Sequence, residues 1–119
     1  MSDSPRTRRV ADEIQREIAS LLATGRIKDP RIGFVTITGA EVTTDLKEAK
    51  VFYVVHGSPE EIKESSRALS DQAPRLRSHL GKVMRIRHAP ELRFVHDKSI
   101  EEGARIDELL QEVRRKEGW

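Results

Sequence analysis

The stretch PRLRSHLGKVMRIRHAPELRFVHD, Pro74 to Asp97, changes its hydrophobic period partway along. Leu76, Leu80, Val83 and Met84 fall on one side of a helical wheel, while Arg75, Ser78, Lys82 and Arg85 gather on the other. Ala89-Pro90 then breaks the helix, because proline has no amide to donate and forces the residue before it toward extended backbone. Beyond it, Leu92, Phe94 and His96 alternate with Arg93 and Val95, the period of a strand. A helix anchored on one face and cationic on the other thus leads directly into a sheet.

Six cations, Arg75, Arg77, Lys82, Arg85, Arg87 and Arg93, stand in this stretch, and Glu91 is the one acid between Arg75 and Arg93. A solvated helix face whose long stems cover apolar neighbours would show some of this. The local imbalance favours a phosphate-binding surface. Acidic residues cluster instead at Glu60 to Glu64 and at Glu101 to Glu112, so charge is segregated although the net value is only +2. The cations matter by placement, not by number.

With 119 residues, 35% charged and 36% hydrophobic, the chain suits one domain over residues 1–119 with a thin aliphatic core. Its aromatics are Phe34, Phe52, Phe94, Tyr53 and Trp119, too few for an RNA surface built mainly on stacking. The absence of cysteine excludes disulfide frameworks, cysteine-based zinc sites and thiol chemistry. No apolar signal core follows the N-terminus, and no run approaches the roughly twenty apolar residues of a membrane span. The expectation is a soluble, cytoplasmic protein.

Working outward, Met1 to Pro5 is short and polar and is expected to be disordered. From Arg6, Val10, Ala11, Ile14, Ile18, Leu21 and Leu22 recur at helical spacing to about Thr24, with Gly25 as the stop and Arg6, Arg8, Arg9 and Arg16 on the polar face. RIKDPRIG, Arg26 to Gly33, is a loop in which Lys28 and Arg31 bracket Asp29. Phe34 to Val42 reads as a strand with a bulge at Gly39, and Ala49 to Val55 as its antiparallel partner after a turn at Thr43 to Leu46.

Ser58-Pro59-Glu60-Glu61 is a capping box that opens a helix along Ile62, Ser66, Leu69 and Ala73. Pro74 should kink or break it near Gln72 to Arg75, at a cost of roughly 3 kcal/mol for a continuous helix. Ser99 with Glu102 offers another capping box, and Ile106, Leu109, Leu110 and Val113 continue it as a C-terminal helix over residues 99–117.

Helix, strand, strand, helix, kinked helix, strand, helix predicts an α+β domain, a three-stranded sheet covered by helices, in the order of a type II KH-like domain. Particular residues go further. Arg9-Val10-Ala11 with Ile14-Gln15-Arg16-Glu17, then IKDPRIGFVTITGAEVTTDLKEAKVFY from Ile27 to Tyr53, LRSHLG from Leu76 to Gly81, and RIRHAPELRFVHD from Arg85 to Asp97 with Ser99-Ile100 together resemble the ribosome-binding factor A family almost end to end.

The resemblance implies a KH-like fold and binding to the small ribosomal subunit and its 16S rRNA near the decoding region. It also implies a role in late maturation of that subunit, including the 5′ end of the RNA, particularly in the cold, and no catalysis; no metal and no cofactor are expected. The family lacks a Gly-X-X-Gly loop and has an Ala-X-Gly kink, where this chain has Gln72-Ala73-Pro74.

On this reading Arg75, Lys82 and Arg85, with Arg77, Arg87 and Arg93 nearby and Arg8, Lys28 and Arg31 alongside, contact rRNA phosphates. Arg77 has a second possible role, pairing with a carboxylate such as Asp97. A monomer is expected, in contact with rRNA and with ribosomal proteins or other assembly factors, and no membrane is involved.

Two rivals remain. An enzyme would need His79, His88, His96 and Asp97 to converge, yet they lack HxH or HExxH spacing. A protein-interaction module would use the acidic helix from Glu60, or the terminal helix, without touching RNA.

Overall fold

Amphipathic spacing at the start and middle of the chain becomes two helices laid on one face of a sheet. The computed structural model describes residues 4–97. The first helix, α1 (Pro5–Ala23), begins at a reciprocal cap: the Ser4 hydroxyl accepts from the Thr7 amide at 3.2 Å, and the Thr7 hydroxyl accepts from the Ser4 amide at 3.1 Å. Pro5 fits the first helical position because it has no amide to leave unpaired. Ser4 and Pro5, expected within a disordered start, are therefore the helix entry. At the other end Thr24 caps onto the Ser20 carbonyl, and Gly25 turns the chain with a φ of +73°.

Strand β1 (Phe34–Val42) pairs antiparallel with β2 (Glu48–His56), from Phe34 opposite His56 to Val42 opposite Ala49. The register shifts between Ile37 and Gly39, so the bulge falls where the glycine predicts it and Thr38 is the extra residue. After the second helix, β3 (Glu91–His96) joins the other edge of β2 in parallel.

Alternation along β2 puts Ala49, Val51, Tyr53 and Val55 on the helix-covered face. Ile14, Ile18, Leu76 and Leu80, all fully buried, close over Ala49 and Val51, and Leu69 packs with Tyr53 and Val55. Each such side chain contributes about 1.5–3 kcal/mol by leaving water.

The second helix, α2 (Pro59–Val83), opens on the predicted box: Ser58 accepts from the Glu61 amide at 3.2 Å and Glu61 returns the bond at 3.2 Å. It is one helix across Pro74 and not two, so of the kink or break that the proline predicts, the break does not occur. Ser70, whose carbonyl lacks the amide that proline does not supply, is an exposed residue. Leu69 and Leu76, fully buried on either side of the proline, hold both halves to the sheet. The C-terminal helix expected over residues 99–117 lies outside the described residues.

Candidate nucleic-acid interface

The second half of α2 presents its cations in two groups. Arg75 and Lys82 are exposed on the ridge opposite the buried Leu76 and Leu80, two turns apart, or about 10 Å along the axis. Arg85 is not on that ridge, where the helical wheel puts it. The helix ends at Val83, the Met84 amide caps onto the Leu80 carbonyl at 2.9 Å, and Arg85 takes a left-handed backbone, φ +53°, where glycine is usual. That conformation costs a non-glycine residue about 1–2 kcal/mol.

The chain then doubles back. The Ala89 methyl lies 3.8 Å from where a Cβ would stand on Gly81, and Arg77 Nε donates to the Ala89 carbonyl at 3.0 Å. Pro90 is fully buried, and the Glu91 amide donates to the Lys47 carbonyl at 2.8 Å. A loop of seven residues, 84–90, is thereby held at both ends and beneath, with Arg85 and Arg87 exposed on it. The hydrogen bond that Arg77 makes is thus to this loop. Asp97, the carboxylate considered for it, accepts instead from Thr38 at 2.8 Å.

Among the described residues no carboxylate comes within ion-pairing distance of Arg75, Lys82, Arg85 or Arg87. Unneutralised guanidinium and ammonium groups on a fixed frame suit phosphate oxygens. Arg93 stands apart, on the sheet face that the two helices leave uncovered. Its register partner is Lys50, a cation that sequence reasoning misses because only strand pairing brings the two together. Glu41, Glu48 and Glu91 line the same shallow groove, so charge there is mixed.

Arg31 is in a different state. Its Nη2 meets Asp29 at 2.7 Å, its Nη1 meets Asp71 of α2 at 2.8 Å, and its Nε donates to Asp29 at 3.0 Å. Gln72 adds a bond to Asp29 at 3.1 Å. Arg31, followed by Gln72, holds the Asp29 carboxyl well below the usual carboxylate range, and Asp29 and then Asp71 raise the guanidinium further above its ordinary value. Below this cluster the fully buried Ser65 donates to the Arg31 carbonyl at 3.2 Å and accepts from the Gly33 amide at 3.0 Å. Arg31, expected on phosphate, therefore fastens the RIKDPRIG loop to α2.

Lys28 lines a groove between α1 and β1, its stem across Gly25, and Arg8 shares the exposed side of α1 with Arg9 and Arg16. The nine predicted cations thus divide: Arg75, Lys82, Arg85 and Arg87 share one end of α2 with Arg77 supporting them, and Arg93, Arg31, Lys28 and Arg8 lie elsewhere. Phe34 is also notable, since it is 74% exposed beside His56, ring centroids 5.7 Å apart. The histidines do not converge: His79 is on α2, His88 on the loop, and His96 packs edge-on against Tyr53 at 5.5 Å.

Two helices over a three-stranded sheet, with a cationic helix end running into the last strand, define an α+β domain of the type II KH-like class. A model of the family described as ribosome-binding factor A matches residues 6–110. A ribosome-binding factor A from Desulforamulus reducens is 48% identical over 114 residues, 96% of this chain and 94% of that protein. The solution structure of a Thermotoga maritima protein, a candidate ribosome-binding factor A, superposes with a TM-score of 0.70 at 34% identity, covering 85% of this chain and 95% of that one. A homology model of the Thermus thermophilus ribosome-binding factor A, as fitted into the cryo-EM map of a complex with the 30S subunit, shares the fold with a TM-score of 0.63 at 23% identity, covering 77% and 96%. The chain belongs to the ribosome-binding factor A family.

Proposed function

We propose that this protein binds the small ribosomal subunit through 16S rRNA and acts in its late maturation, including formation of the RNA's 5′ end, especially in the cold. It does so in the cytoplasm, as a monomer and without catalysing a reaction. Family membership supports the reading, as does the relative whose complex with the 30S subunit has been mapped. The observation that carries the mechanism is the group of Arg75, Lys82, Arg85 and Arg87, unpaired among the described residues on a helix end and a braced loop. Such a frame reads the spacing of phosphates on folded RNA and not base identity.

Binding to purified 30S subunits over a salt series tests it. Affinity should fall steeply with salt, and each substitution that frees one phosphate from its cation should flatten the log–log slope by about 0.7–0.9. Mapping the 16S 5′ end in cells that carry only the weakened variant tests the maturation role. An association indifferent to salt and nuclease would instead favour docking of protein on the acidic start of α2, where Glu60, Glu61 and Glu64 are exposed.

A further inference from the structure

Arg77 is one of the cations of the helix end, yet its hydrogen bond points inward to the molecule's own backbone. Nε donates to the Ala89 carbonyl at 3.0 Å, across the neck of the loop that displays Arg85 and Arg87. Arg77 also lines the cleft between α2 and β3, beside Pro74 and Leu92, on the flank of the helix and not on its outer ridge. Arg85 shows the converse: it occupies a left-handed position that glycine would hold with less strain, with an exposed side chain.

We propose that the two arginines divide the work: Arg77 is a positioning residue that braces the 84–90 loop, and the Arg85 guanidinium, delivered by that brace, meets RNA phosphate. This rests on the reading that the loop faces rRNA, and it assigns different tasks to residues that composition cannot tell apart. On this division Arg85 contributes its side-chain charge, and Arg77 contributes its Nε–H while its charge is secondary.

Glutamine and methionine separate the two roles at position 77. The Gln amide nitrogen sits at the same place along the side chain as Arg Nε, so Arg77→Gln keeps the donor and loses the charge. Arg77→Met keeps the reach as far as Nε and loses both. In 30S binding over a salt series, R77Q should follow the wild-type line. R77M should give a parallel line of weaker affinity, with faster hydrogen exchange at the amides of residues 85–89.

R85G should flatten the slope by about 0.7–0.9, the signature of one phosphate left without its cation, and should not lower the melting temperature. If R77Q flattens the slope as R85G does, Arg77 touches RNA and the positioning role is wrong. If R85G leaves both affinity and slope intact, Arg85 does not meet phosphate. The rRNA reading of the whole surface fails separately, when R75Q, K82Q and R87Q also leave slope and affinity unchanged, and hydrogen exchange in R77M then still reports whether Arg77 braces the loop.

Discussion

The RIKDPRIG loop and the loop after α2 hold arginines of the same chemistry in opposite states. Arg31 is enclosed by Asp29 and Asp71, each under 3 Å away, while Arg85 and Arg87 meet no carboxylate among the described residues. The first cluster fastens loop to helix, and its charge is answered inside the molecule. The second is fastened by a neutral bond, from Arg77 to a backbone carbonyl, and keeps its charge for outside. A cation's role follows from what neutralises it, so counting arginines along a chain locates a surface only after the carboxylates have been placed.

Both clusters stand on α2, and the largest predicted effect removes them together. Leu76 is fully buried beneath the ridge, and Leu76→Ala should cost about 2–5 kcal/mol of folding free energy, read from urea unfolding, with 30S affinity lost at temperatures where the variant melts. Pro74 lies between the clusters. Pro74→Ala restores the amide that the Ser70 carbonyl lacks and should stabilise the fold by up to about 3 kcal/mol. If it also alters the salt slope of 30S binding, the proline sets the relation of the two cationic sites as well as the helix.

Substitutions paired across the two loops break or sharpen the contrast. The double variant R85E and R87E should weaken 30S binding strongly and flatten the salt slope by about 0.7–0.9 for each phosphate left without its cation, with the melting temperature unchanged. R31Q should do the reverse, lowering the melting temperature and leaving the slope alone. A flattened slope in R31Q would place Arg31 on RNA despite its two carboxylates.

Much of the fold was legible because local signals agreed. Ser58 to Glu61 announced the start of α2, Gly39 the bulge, and Phe34 to Val42 is the strand its alternation described. Pro74 does not divide the helix, because Leu69 and Leu76, buried on either side of it, hold the two halves in place despite the lost hydrogen bond. The gathering of cations at the end of α2 was legible in outline, and their placement was not. Arg85 left the helix because the cap falls at Met84, Lys50 joined Arg93 only through strand register, and Arg31 met Asp71 forty residues away. One signal was local: Asp29 two residues before Arg31 forms a turn in which the Arg31 amide donates to Asp29 at 3.0 Å, and Asp-Pro-Arg could have suggested a self-neutralised arginine.

The smallest effect separates the clusters by pH. The Asp29 carboxyl, chiefly through Arg31, has its folded-state pKa well below the usual range, whereas in the unfolded chain it titrates near about 4. The unfolded state therefore binds more protons in the window between the two values, so stability falls as pH drops through that window and is level above it. Asp29→Asn removes the difference: urea midpoints should be lower than wild type at pH 7, and the gap should begin to narrow as the pH falls below about 4. Asp45 is depressed too, first by the Thr43 hydroxyl and then by the Lys47 amide, so part of the acid slope survives in D29N and is lost in D45N. The loop after α2 holds no carboxylate, and Arg85→Gln should leave the pH dependence of unfolding as it is in the wild type. A changed acid slope in R85Q would mean that some carboxylate does answer that arginine, and the contrast between the two loops would then be one of degree.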